Sequence, residues 1–253
     1  MSAIKRGLAW VPNLFTLGNL TLGFFAILLA SRAHQNDRLL LVAAVFILLA
    51  MLCDGLDGFA ARLLNARSEL GAQLDSLADL TAFGIAPAVL FYSFVLHEYN
   101  YAVTPTFIVP TGMLLSAIYP ACAAYRLARF NLVHDDQGFV GLPSPVAGVT
   151  VALMPLAFGE IHIPASVLTI IFVLGAFLMV STIRYAKPQA VVLKRFSPLR
   201  LAILLVSLVA GLIFIGLQYG GDYAAAGIFT IITIYTATGL VSIIIHTIQE
   251  YRM

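Results

Sequence analysis

Charge is scarce in this chain. Of its 253 residues only 10% are Asp, Glu, Lys or Arg, against 61% that are apolar, whereas a soluble domain carries about 25% charged residues. Together with a mean hydropathy of +0.97, this leaves no room for a separate soluble domain and makes the lipid bilayer the expected solvent. Cysteine is nearly absent. Cys53 and Cys122 both fall inside apolar stretches, which excludes a disulfide framework or a zinc-knuckle pattern and marks them as core residues. The histidines His34, His97, His134, His162 and His246 are scattered near the ends of apolar runs, so a shared histidine metal site is excluded too. The net charge is only +2, and no nucleic-acid partner is expected. The single tryptophan, Trp10, follows Lys5 and Arg6 and reads as an interfacial anchor.

Long apolar runs are what the chain has in abundance. A transmembrane helix needs about 20 apolar residues. Runs of that kind extend from Pro12 to Ala30, Arg38 to Leu64, Leu70 to His97, Phe107 to Phe130, Pro143 to Phe158, Pro164 to Tyr185, Arg200 to Leu217 and Tyr223 to Thr247. The expected fold is all-α, a polytopic transmembrane helical bundle of about eight spans in a single membrane domain. The first run is too long, and lacks the small-residue cleavage site, for a signal peptide, so it is expected to remain as a span. Pro143 and Pro164 suit first helical turns. Pro87, Pro110, Pro120 and Pro155 are expected deeper in their helices, where proline frees a carbonyl and suggests a cavity.

Basic residues remain on the cytoplasmic side. With the N-terminus inside, Lys5, Arg6, Arg62, Arg67, Arg126, Arg129, Arg184, Lys187, Lys194, Arg195, Arg200 and Arg252 fall on that side, and only Arg32 and Arg38 fall outside. This favours an even number of spans with both termini cytoplasmic, and six would fit as well as eight. The basic linker from Arg184 to Arg200 reads as a topology anchor that meets anionic headgroups.

The chemistry is concentrated in the second and third spans, where the segment CDGLDGFAARLLNARSELGAQLDSLADLTAFG places four carboxylates at membrane depth. Ionisable groups there are costly enough to mark a functional site. Asp54, Asp57 and Ala61 stand at i, i+3 and i+7, and Gly71, Asp75 and Asp79 at i, i+4 and i+8, so each helix presents one acidic face lined by small residues. The turn near Asn65 to Ser68 makes the helices antiparallel, and the two faces can converge. A divalent cation is the cheapest compensation, since hard oxygen ligands suit Mg²⁺, Mn²⁺ or Ca²⁺, and two ions would hold a nucleotide diphosphate. Spacing alone also admits an ion-binding or proton-relay site in a cation-coupled transporter.

The run Asp54-x2-Asp57-Gly58-x2-Ala61-Arg62-x8-Gly71-x3-Asp75-x3-Asp79 carries eight fixed positions over 26 residues. At every one of them it resembles the signature of the CDP-alcohol phosphotransferase family. The resemblance implies a six-span helical core, here about residues 12–185, with additional C-terminal helices over about residues 198–248. It implies a homodimer in the cytoplasmic membrane of a prokaryote, with the polar pocket open to the cytoplasm. It also implies that Asp54, Asp57, Asp75 and Asp79 bind divalent metal, Mg²⁺ or Mn²⁺ and two ions, and that Asp79 doubles as the base that deprotonates the acceptor alcohol. No Ser, Cys or His is poised as a nucleophile in the motif, so direct in-line attack on the lipid-side phosphorus is expected, with CMP leaving.

Gly58 and Ala61 are expected to line the CDP-lipid pocket with Gly71, where bare backbone admits a bulky ligand. Arg62 either reaches a phosphate or snorkels to the interface. Asn13 and Thr16, with Asn19 at the same three-residue spacing, either line the entrance for the CDP-lipid or make polar helix-packing contacts.

Outside the motif, PNLFTLGNLTLGFFAI, YRLARFN, FVGLPSP and LMVSTIRY are similar to segments of the bacterial and archaeal phosphatidylserine synthases of this family. Thr81-Ala82 departs from the pattern, since those enzymes often carry Ser just before Phe-Gly. The resemblance implies transfer of the phosphatidyl group from CDP-diacylglycerol to L-serine. A serine acceptor needs a cation for its carboxylate, and Arg126 and Arg129 stand three apart where both can face one pocket. Asn131 and Ser144 would add hydrogen bonds. Positive-inside anchoring is the other reading of the two arginines, and a phosphorylated acceptor such as glycerol phosphate or inositol phosphate would also favour them.

Overall fold

The structure is a computed structural model that describes residues 10–33, 38–64, 66, 68–104, 107–132, 139–159, 163–185, 218 and 220–250. The expected seventh span and most of the basic linker before it lie outside the described residues, as do Lys5, Arg6, His34, Arg67, His134, His162 and Arg252.

Helices dominate. They are α1 (Trp10–Ser31), α2 (Arg38–Leu63), α3 (Glu69–Asp79), α4 (Ala86–Phe94), α5 (Thr111–Leu132), α6 (Ser144–Phe158), α7 (Ala165–Val180) and α8 (Gly221–Glu250). Among the described residues, three helices are long and apolar enough to cross a membrane: α1, α2 and the continuous rod Glu69–Phe94. At 1.5 Å per residue, the 26 residues of α2 extend about 39 Å, more than the roughly 30 Å of a hydrocarbon core. The outer faces of α1 and α2 carry exposed Phe24, Phe25, Leu28, Val45, Leu49 and Leu52, the surface a lipid-facing helix presents.

Two expectations are corrected. The fourth span does not begin at Phe107. Phe107–Val109 (β2) pairs antiparallel with Tyr101–Thr104 (β1), as suits a run of aromatic and β-branched residues. Pro110 therefore precedes α5 rather than lying inside it, and its carbonyl accepts the Met113 N–H at 3.0 Å. The sixth span ends at Val180 rather than Tyr185, and Arg184–Tyr185 (β4) pairs with Phe139–Val140 (β3). Both ribbons lie at helix ends, so the bundle itself remains helical.

The third rod has an internal defect directly after its last acid. Leu80–Ile85 forms a π-helix in which the Ala86 N–H bonds to the Thr81 carbonyl. Pro87 supplies the reason: it has no N–H to give the next carbonyl in either register, so the widened turn closes at the residue before it. Small residues grip this turn. A Cβ on Gly23 of α1 would lie 2.7 Å from the Ala82 Cα, and one on Gly148 of α6 would lie 2.9 Å from the Phe83 Cα. The backbone of the turn is therefore held directly by two other helices, which fixes the direction in which α3 presents Asp79.

Two cores flank that turn. One joins α1 and α2 through Ala26, Ala30, Ala43, Ala44, Ile47 and Ala50, small side chains that let the helices approach closely. The other stacks Phe172 of α7 between Phe91 of α4 and Tyr119 of α5, with ring centroids 4.4 and 4.7 Å apart. Helix α8 joins this second core through Phe229, which meets Phe158 edge to face at 5.0 Å.

Candidate active site

The turn from α2 into α3 brings the two acidic faces together as the spacing predicts. Ser68 caps α3 by accepting the Gly71 N–H at 3.0 Å, which starts the helix in the phase that aims Asp75 and Asp79 back toward α2. One carboxylate oxygen from each of Asp54, Asp57 and Asp75 lies within 4.8 Å of the other two. Asp79 adjoins this trio rather than completing it. Its carboxyl lies within hydrogen-bonding reach of Asp54 and accepts from Asn19 Nδ2 at 3.5 Å.

Helix α1 forms the back of the site. Thr16, buried, donates its hydroxyl to Asp57 Oδ2 at 2.9 Å, and fully buried Asn19 holds Asp79. Thr16 thus makes a helix-to-helix contact that orients a carboxylate. Asn13 places its Oδ1 3.3 Å from where a Cβ on Gly71 would stand, with Ser68 Oγ 3.1 Å from the same point. Gly71 therefore serves close packing of α3 on α1, and the expectation that it offers open backbone to a ligand is corrected. Gly58 does offer it: a Cβ there would meet nothing within 4 Å, and the same holds at Gly55. Ala61 is half-buried and Arg62 exposed in the last turn of α2.

The opposite wall comes from α5 and α6. Arg126 is buried and donates through Nη1 to the hydroxyl of Ser144, itself wholly buried at the start of α6. Its charge acts on both Asp79 and Asp54. Arg129 goes elsewhere. Its guanidinium donates to the carbonyls of Val180, Val140, Ser181 and Met179 at 2.8 to 3.4 Å. The expectation that both arginines face one pocket is corrected, because residues three apart differ by about 60° around a helix and meet different neighbours at this end of α5. Asn131 donates to Ser76 Oγ at 3.0 Å and ties the end of α5 to α3.

The donor set fits a divalent cation. All of its atoms are oxygens, three converge, and Asp75 Oδ1 is buried with no hydrogen-bond partner among the described residues. A buried carboxylate oxygen without a donor is costly, and hard cations such as Mg²⁺, Mn²⁺ or Ca²⁺ are what such oxygens hold. Four acids stand against the one guanidinium that reaches them among the described residues, so the charge balance points the same way.

The family model described as CDP-alcohol phosphatidyltransferase matches residues 9–183. The chain belongs to that family. The match takes in all four acids, both arginines and the residues of α1 behind them, and stops short of α8. Within this family, the chain is 38% identical over 182 residues to the CDP-diacylglycerol–serine O-phosphatidyltransferase of Helicobacter pylori, across 69% of this chain and 70% of that protein. Its identity to the Bacillus subtilis protein of the same name is 35% over 179 residues, covering 70% and 89% of the two chains. The archaetidylserine synthase of Methanothermobacter thermautotrophicus is 33% identical over 181 residues, 70% of each chain.

Three features of this candidate site lay outside the sequence expectations: the open backbone at Gly55, the π-turn after Asp79 and the pairing of Ser144 with Arg126. Gly55 carried a signal, since it stands three residues before Gly58. The π-turn carried a partial one in Pro87, but the glycines that grip it come from distant helices.

Proposed function

We propose that this family member transfers the phosphatidyl group of CDP-diacylglycerol to L-serine, forming phosphatidylserine and CMP. The observation that carries the choice of acceptor is the buried Arg126, whose charge acts on both Asp79 and Asp54. In serine the hydroxyl and the carboxylate are separated by only two carbons, so a base for one and a cation for the other must be neighbours. Asp79 and Arg126 are close enough for their charges to act on one another, which suits that requirement.

In this reading the serine carboxylate pairs with Arg126, whose Nε is buried without a partner among the described residues, and Asp79 takes the hydroxyl proton. The hydroxyl oxygen bonds to the lipid-side phosphorus as the bond from that phosphorus to the oxygen bridging to CMP breaks. Asn19 holds the Asp79 carboxylate toward the acceptor, and Thr16 fixes that of Asp57. Divalent cations, Mg²⁺ or Mn²⁺ and two in number, would be held by Asp54, Asp57 and Asp75 with Asp79 beside them, and would supply charge neutralisation at the diphosphate. Gly55 and Gly58 leave open backbone where the nucleotide approaches, with Ala61 and Arg62 at the rim. Ester- and ether-linked lipids present the same reacting phosphorus.

The setting we assign is a prokaryotic cytoplasmic membrane crossed by about eight spans, with both termini and the site on the cytoplasmic side and a homodimer as the assembly. The test is CMP release by purified protein with CDP-diacylglycerol and Mg²⁺ or Mn²⁺, comparing L-serine, glycerol 3-phosphate, inositol 1-phosphate and no acceptor. Release selective for serine is expected. Selectivity for another alcohol would overturn the acceptor while keeping the phosphoryl chemistry, and no release with any acceptor would return the four acids to an ion-transport role.

A further inference from the structure

Arg129 is more heavily engaged than any other described side chain near the site, yet it touches no part of it. Its carbonyl partners at Met179, Val180 and Ser181 close the C-terminal end of α7, where a helix leaves carbonyls without intrahelical donors and favours a cation. The fourth, Val140 at 3.0 Å, belongs to β3. One guanidinium thus joins two chain segments about forty residues apart in sequence.

The segment on the β3 side is fixed along its whole length. The Gly141 N–H donates to the Ile183 carbonyl at 2.8 Å and the Leu142 N–H to the Leu178 carbonyl at 2.9 Å. Gly141 has φ +82, and a Cβ there would collide with the Met179 carbonyl and lie 2.9 Å from Arg129 Nη2. Only glycine fits at that point, both for its backbone and for its space. Three residues on stands Ser144, flanked by Pro143 and Pro145, whose fixed φ angles leave little freedom to absorb a displacement. Ser144 in turn receives the Arg126 guanidinium.

We infer that Arg129 is a positioning residue for the acceptor site: it locks β3 onto the end of α7 and, through the Pro143-Ser144-Pro145 run, sets the place of the Arg126 guanidinium relative to the acids. This rests on the assignment of Arg126 to the acceptor. Arg129 is then a specificity element that never meets the substrate.

The test is a double-mutant cycle on the purified full-length enzyme in lipid nanodiscs, comparing Arg129→Lys, Ser144→Ala and the pair. The KM for serine, the KM for CDP-diacylglycerol, kcat and the thermal midpoint are measured for each. Each single change is expected to raise the serine KM about tenfold, the scale of one lost hydrogen bond to a charged group, while leaving the CDP-lipid KM within about twofold. The pair should raise the serine KM no further than the larger single, because one effect passes through the other. Additive effects on the serine KM, or a lowered thermal midpoint with both KM values unchanged, would overturn the inference. Should Arg129→Lys not fold, Gly141→Ala keeps the guanidinium but crowds both it and the Met179 carbonyl, straining the same lock, and an unchanged serine KM there overturns it equally. Arg126→Lys, run alongside, separates the two ideas. If that change leaves the serine KM unaltered, the acceptor assignment fails on its own, and the lock is judged by whether Arg129→Lys and Ser144→Ala remain non-additive in kcat.

Discussion

The acidic pairs of α2 and α3 and the basic pair of α5 have nearly the same spacing in sequence and opposite fates in space. Asp54 and Asp57 stand three apart, Asp75 and Asp79 four apart, and three of the four carboxylates offer oxygens within 4.8 Å of one another. Arg126 and Arg129 also stand three apart, yet one donates to Ser144 with its charge acting on Asp54 and Asp79, and the other caps α7. The acids lie on two antiparallel helices that are both backed by α1, so a face broad enough for both residues of a pair meets the same helix. The arginines lie near the last turn of a helix where two different elements arrive, and a divergence of about 60° is enough to send each to its own. Helical spacing therefore locates a site when the facing surface is continuous and misleads when it is divided.

The sharpest break in that comparison is Asp79→Asn. The side chain keeps its shape and its contact with Asn19 but no longer accepts a proton, and kcat for CMP release is expected to fall by about 10² to 10⁴ with the thermal midpoint little changed. A rate within a factor of about ten of the parent would remove Asp79 from the role of base. Arg126→Gln comes next. Losing a charged partner for the acceptor carboxylate should raise the serine KM by about 10- to 100-fold and leave the CDP-lipid KM nearly unchanged. An equal rise in both would place Arg126 at the diphosphate instead.

A smaller effect is expected behind the acids. Thr16→Val keeps the side-chain shape and deletes the hydroxyl that donates to Asp57 Oδ2 at 2.9 Å. Partners that orient metal-binding carboxylates are worth about 10- to 100-fold in affinity. Titration of Mn²⁺ followed by electron paramagnetic resonance should show weaker binding by roughly the lower of those factors, without any need for turnover. Undiminished Mn²⁺ affinity would reduce Thr16 to a packing contact.

How much of this could be read beforehand follows the same division. The acid cluster was legible because period and charge scarcity point to the same residues: in a chain with 12 acidic side chains, four on two facing helices are conspicuous. Positions of the described helices were legible from apolar runs, apart from the ends, where β1 with β2 and β3 with β4 replaced helix with ribbon. What pairs with what across distant segments was not legible. Nothing in YRLARFN says that Arg129 meets the carbonyls of residues 179–181, because those groups are common to every residue and leave no mark in the sequence. The same limit hid the grip of Gly23 and Gly148 on the π-turn.

The smallest effect is expected on the face of α5 that carries Arg126, two turns earlier. Tyr119 lies seven residues before Arg126 and is fully buried, and its hydroxyl has no hydrogen-bond partner among the described residues. By spacing it belongs with the active site, but by surroundings it belongs with Phe172 and Phe91 in the aromatic stack. An unsatisfied buried hydroxyl costs about 1 to 3 kcal/mol, so Tyr119→Phe should leave catalysis unchanged and hold or raise the thermal midpoint. A lowered midpoint would show that the hydroxyl has a partner, and lowered activity would extend the polar site two turns deeper along α5. The expected result confines the chemistry to the end of the bundle where α1, α2 and α3 meet the last turns of α5, and makes the tyrosine ring a packing element whose oxygen is dispensable.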